Sequence, residues 1–158
     1  MTGIAPRTLA APLIGGAARV ALGVLWLIEG VIKLRAGFGA PDILLVADSA
    51  ANNSRVPDYF APMGELMRAL SGLFGIGIPL LELSLGVLLI IGVIPRIAAL
   101  ASIGTLALYW SADQLAAQYP LMLVLAAVVL AIPRSGEWSL PALARRRRDR
   151  SVPEPRRV

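Results

Sequence analysis

The run from Pro79 to Ile91 is apolar at every position except Glu82 and Ser84. An acid inside a run of membrane character narrows the available folds sharply. An ionised side chain at bilayer depth costs roughly 2.5–3.5 kcal/mol on insertion scales. Such a group faces the interior of a bundle and meets a partner. A second acid, Glu29, lies in the apolar run Val20 to Ile32, and Lys33 follows it by one helical turn. Glu N-terminal to Lys at that spacing is the favourable order for a helical pair. Glu29, Lys33 and Glu82 are therefore the candidate binding residues at the polar centre of a bundle.

Composition supports the membrane reading and removes much chemistry. The chain is 57% hydrophobic and 16% charged over 158 residues; soluble domains average about 45–50% and 25%. No sizeable soluble domain fits beside the apolar runs. There is no Cys, which excludes disulfides, thiol chemistry and cysteine-held iron–sulfur clusters. There is no His, which excludes Ser–His catalysis and the usual zinc and haem ligation. No catalytic residue and no metal site is assigned, since Glu29 and Glu82 alone would lack further ligands. No cofactor is expected to be held by the chain's own ligating side chains.

The expected fold is an all-α integral membrane protein. It is a four-transmembrane-helix bundle with a long helical extracytoplasmic loop between helices 1 and 2. The spans read as Leu13 to Leu34, Leu73 to Ile94, Ile97 to Ser111 and Leu115 to Ile132, with Pro95 and Pro133 punctuating helix ends. Residues 1–140 form the membrane domain, and 141–158 form a basic, disordered cytoplasmic tail. The first run is longer than a signal-peptide core and has no small-residue cleavage site. It therefore reads as a retained span. Eight of the fifteen basic residues follow Ile132, so the positive-inside rule puts both termini in the cytoplasm of a multi-pass cell-membrane protein.

Interface anchors follow from that orientation. Arg19 and Arg96 fall at the inner interface, against lipid phosphates. Tyr109, Trp110 and Tyr119 form an outer aromatic belt, and Trp138 marks the inner interface. The run Arg145 to Arg150 rests on anionic lipid; nucleic acid is not an expected partner, because no aromatic residues interleave.

The connection from Arg35 to Gly72 carries two short helical stretches, Asp42 to Ala51 and Pro62 to Leu70. Met63, Leu66, Met67 and Leu70 share one face of the second. The connection is either a packed cap over the bundle or a lid over a lateral cavity. Pro79 either starts the second span or, with Gly75 and Gly77, interrupts it beside a cavity. Glu29 and Lys33 either neutralise each other, with Lys33 snorkelling outward, or share a cavity with Glu82. In the second case Trp26 and Phe74 would line its apolar part. Leu22-Gly23-Val24-Leu25 is echoed by Leu85-Gly86-Val87-Leu88. Gly23, Gly30, Gly86, Gly92, Ala98 and Ser102 supply the small residues that let membrane helices approach.

Three stretches resemble the DoxX family, with its DoxD and MauE-like relatives, over residues 18–140. They are Arg19-Val20-Ala21-Leu22-Gly23 through Glu29-Gly30 and Lys33-Leu34; Leu81 to Gly86 through Ile91-Gly92-Val93-Ile94-Pro95-Arg96; and Gly136-Glu137-Trp138-Ser139-Leu140. Where that family usually carries Asp after the last motif, this chain has Pro141. The resemblance implies a four-helix membrane bundle associated with redox systems. It implies either a non-catalytic accessory or assembly subunit or a quinone-binding subunit of an oxidoreductase. A small proton-linked transporter is a further alternative. The expected partners are the lipid bilayer and another membrane or membrane-anchored protein, or a second copy of the chain.

Overall fold

The computed structural model describes residues 10–132 with 135, 136, 139 and 142. The helix end at Pro133, the Trp138 anchor and the Arg145 to Arg150 run lie outside the described residues. Every regular element among those described is helical: α1 (Ala10–Arg35), α2 (Ala40–Ala51), a 3₁₀ turn (Asp58–Phe60), α3 (Ala61–Ala69), α4 (Ser71–Ile91), α5 (Pro95–Ser111) and α6 (Tyr119–Ala131).

Helices α1, α4, α5 and α6 surround one core. Leu22 and Trp26 of α1, Leu85 and Leu89 of α4, Ala98, Ala99 and Leu106 of α5, and Met122, Ala126 and Val129 of α6 are buried there. The outward faces are also apolar, with Leu13, Ile28, Ile76, Leu80, Leu100 and Val124 all exposed. Polar side chains sit inside instead: Arg19, Glu29, Glu82, Ser102 and Thr105 are buried. Polar residues within and apolar residues without is the distribution a lipid solvent selects. α1 and α4 are long and apolar enough to cross a membrane.

α1 and α4 pack backbone to backbone at the echoed tetrapeptides. A Cβ added to Gly23 would lie 2.9 Å from the Gly86 carbonyl oxygen, and one added to Gly86 would lie 2.9 Å from that of Gly23. The backbones therefore touch where the two repeats meet.

Several boundaries differ from expectation. α4 ends at Ile91 rather than Ile94, because Gly92 takes a left-handed conformation (φ 78°) and donates to the Leu88 carbonyl. A left-handed glycine is the common helix stop. Pro79 neither starts nor breaks α4, which runs through it from Ser71. The carbonyl that Pro79 leaves without its helical donor is that of Gly75. The absent side chain of Gly75 lets the backbone of Gly39 and Ala40 press against α4; a Cβ there would be 2.5 Å from the Gly39 carbonyl carbon. α6 begins at Tyr119, not Leu115, because Pro120 sits in its first turn where a missing N–H costs nothing. At 13 residues, α6 spans about 20 Å, short of a hydrocarbon core of about 30 Å. Residues flanking α6 would have to complete any crossing.

The connection between α1 and α4 is a packed cap. α2 opens with Pro41 in its first turn and the Gly39 N–H donating to Asp42 Oδ2 at 2.8 Å. Ile43, Ala47, Phe60 and Met67 form a second core with Ala112 at the end of α5. The anticipated apolar face of α3 is split. Met63 and Met67 pack inward, whereas Leu66 and Leu70 are exposed. Arg55 and Asn53 both reach Asp113 in the α5–α6 turn, at 2.7 and 2.6 Å, and Tyr59 bonds Ser111 at 3.0 Å. The cap and the α5–α6 turn thus lie at the same end of the bundle, stapled together.

Candidate functional site

The three charged residues meet. Lys33 Nζ donates to Glu29 Oε2 at 3.1 Å and to Glu82 Oε1 at 2.7 Å. The inward face of α1 carries Glu29 above Trp26, and α4 delivers Glu82 from the opposite wall. Glu82 is fully buried. Lys33 does not snorkel away from the centre: its ammonium bridges both acids, and 18% of its side chain remains exposed.

Two further residues complete the cluster. Tyr109 donates its hydroxyl to Glu82 Oε1 at 2.6 Å, and Gln118 donates its side-chain amide to Glu29 Oε1. The Lys33 ammonium also stands 5.6 Å from the centre of the Tyr109 ring. Glu82 Oε2 has no hydrogen-bond partner among the described residues. With every group ionised, two carboxylates and one ammonium sum to a charge of about −1. The site therefore presents carboxylate acceptors and one ammonium donor.

The aromatic residues divide differently from expectation. Of the expected outer belt, Trp110 faces outward, 65% exposed. Tyr109 is buried at the site and pairs with Tyr119 at 5.7 Å between ring centres. The reason is geometric: neighbours on a helix point about 100° apart, so Tyr109 and Trp110 cannot share a face. Ala98, Ser102, Thr105 and Tyr109 recur at helical spacing on the buried face of α5, and extending that spacing from Ala98 and Ser102 identifies Tyr109. Gln118 carries no comparable signal, because its placement depends on the α5–α6 turn.

A chamber of ≈ 100 Å³ lies between this cluster and the cap. Phe38, Phe74, Ile78, Met67 and Leu108 are among its apolar walls, while Lys33, Tyr109, Gln114 and Tyr119 form its polar side. Phe74 thus borders a cavity. Trp26 stands behind Tyr109 in the bundle core, edge-on at 6.5 Å, and donates its indole N–H to Ser102 Oγ at 2.8 Å.

The two arginines taken as lipid anchors behave differently. Arg96 is exposed and donates to the Leu130 carbonyl at 3.1 Å. Arg19 is buried, 2% exposed, rather than reaching lipid. Its guanidinium donates to the carbonyls of Leu89 and Ile90 in the last turn of α4. Carbonyls at a helix C-terminus lack intrahelical donors and carry partial negative charge, so a buried cation is well placed there. The spacing of Arg19 with Leu22, Trp26 and Glu29 puts all four on the inward face of α1.

A family model described as methylamine utilisation protein MauE matches residues 11–112. That segment covers α1 through α5, and so contains Glu29, Lys33, Glu82 and Tyr109 but not Gln118. The broader resemblance to DoxX narrows to this relative. No curated protein and no solved structure matches the chain.

Proposed function

Because the chain belongs to the family of the methylamine utilisation protein MauE, we propose that it is a non-catalytic accessory or assembly subunit of a membrane-associated redox system. The observation that carries this reading is the family match on a chain without Cys or His. Such a chain supports a redox partner rather than carrying electrons through its own side chains. The partner is another membrane or membrane-anchored protein. The bundle crosses the membrane four times through α1, α4, α5 and α6, with the cap outside and both termini in the cytoplasm. The shared end of the cap and the α5–α6 turn supports that topology.

The experiment is quantitative co-purification from native membranes in mild detergent, using a tagged full chain. A stoichiometric redox enzyme or one of its maturation factors is the expected companion. The chain recovered alone as a monomer would refute the reading. Reporters at Val158 and Ser54 should mark cytoplasm and exterior respectively; an exterior Val158 would overturn the orientation.

A second reading is a quinone-binding subunit, favoured by the chamber with an ammonium on one side and Phe38 and Phe74 among its walls. Lys33 would donate to a ring carbonyl, and Glu82 and Glu29 would hold that ammonium in place. Quinone binding that survives both Lys33→Met and Glu82→Ala unchanged would remove this site assignment.

A further inference from the structure

We infer that Tyr119 divides one bipartite binding site, with a neutral quinone-type ring in the chamber beneath the cap and its long apolar tail in a groove between α5 and α6. The inference rests on the head-group reading above. Tyr119 lines the chamber and also lines a second cavity of ≈ 360 Å³ on the outward side of α5 and α6. That groove is walled by Ile103, Ala107, Trp110, Pro120 and Leu123. Its serine, Ser111, already donates to the Ala107 carbonyl at 2.8 Å and pairs with Tyr59. The groove thus suits a hydrocarbon chain and not a head group.

The chamber has the opposite character. An ammonium has three N–H groups. Glu29 and Glu82 engage two of those on Lys33, which leaves one for a ligand acceptor. The excess of carboxylate over ammonium repels an anionic head group, so a neutral carbonyl oxygen is the matched acceptor. A dry cavity of about 150 Å³ holds benzene. A chamber of ≈ 100 Å³ is smaller than that, so it takes one ring only when a wall shifts. Tyr109 is pinned to Glu82 and buried; Tyr119, in the first turn of α6, is partly buried, packs on the Tyr109 ring and reaches Glu29. Rotation of the Tyr119 ring out of those contacts would join the two cavities it lines and enlarge the smaller. The ligand then enters sideways from the lipid, ring first, and leaves its tail in the groove.

The test compares a decyl-tailed dimethoxybenzoquinone with the same ring lacking its tail, using equilibrium dialysis on the full chain in one detergent. Ala107→Trp and Leu123→Trp each fill the groove from an exposed position without touching the chamber. Each should weaken the tailed ligand about tenfold and leave the tail-free ring unchanged. A tailed ligand bound equally by wild type and by both variants overturns the groove, while the head-group reading stands. Wild type that binds neither ligand overturns both. A diazirine at the end of the tail should label α5 or α6; labelling of the cap instead would refute the lateral path.

Discussion

Gly86→Ala and Gly104→Ala are the same chemical change, on two helices of one bundle, and should have opposite signs. A Cβ on Gly86 would stand 2.6 Å from Leu27 Cγ and 2.9 Å from the Gly23 carbonyl oxygen. Leu27 can rotate, but the carbonyl belongs to α1 and cannot move alone. Restoring ordinary contact near 3.4 Å requires α1 and α4 to part by about 0.5 Å (3.4 − 2.9), and a gap of that size forfeits about a quarter of each contact's dispersion energy. Lipid offers no hydrophobic drive between helices, so packing is what holds them. Overpacking of this kind costs about 1–3 kcal/mol, and a contact against backbone belongs at the upper end. Ala regains about 0.5–1 kcal/mol over Gly inside a helix. The net loss is about 2 kcal/mol, or a melting temperature lower by about 4–8 °C for a chain of this size. At Gly104 nothing lies within 4 Å of the added Cβ. Only the helix gain of about 0.5–1 kcal/mol remains there, which raises the melting temperature by about 1–4 °C. Thermal unfolding followed by circular dichroism in a single detergent measures both. Two increases would show that α1 and α4 do not touch at Gly23 and Gly86. A loss at Gly104 would mean that another chain covers α5 there.

Lys33→Met should be the most damaging single change in the charged cluster, by about 3–5 kcal/mol, because it leaves two buried acids facing each other. Glu82→Leu should cost less, since Glu29 still holds Lys33, and adding it to Lys33→Met should restore part of the loss; strict additivity in that thermal-melt cycle would disprove the contact. Arg19→Met should destabilise by about 2–4 kcal/mol through unsatisfied carbonyls at the end of α4, read from the same melts. Ile94, a β-branched residue at φ 47° immediately before Pro95, should gain about 1 kcal/mol on replacement by Gly; an unchanged or lower melting temperature would show that the turn is not strained.

The charged centre was legible because its chemistry forced it. Glu29 and Lys33 announce themselves by helical spacing, and a lone acid such as Glu82 inside an apolar run must have a partner. Helix existence was legible for the same reason: only helices satisfy the backbone of long apolar runs. Two residues were misassigned by grouping neighbours in sequence rather than residues on one helical face. Tyr109 was grouped with Trp110, and Arg19 with interfacial lipid, although each shares spacing with buried positions of its own helix. Gln118 was illegible, because a side chain delivered by a turn has no period to extend. The start of α6 was misplaced because hydropathy reads Leu115 as the beginning, while Pro120 fixes the first turn.

The buried contact of Arg19 with the last turn of α4 sets the two ends of the bundle apart. Between the Glu82 cluster and the end of α4 where Arg19 binds carbonyls, Leu22, Leu89, Met122, Ala126 and Val129 have no solvent exposure at all. That layer is an insulator. The chamber beside the acids lies on the other side of that layer, toward the cap. A ligand or partner at the capped end would meet the cluster across the chamber, whereas one at the opposite end would be held from contact with it by the full depth of that dry layer.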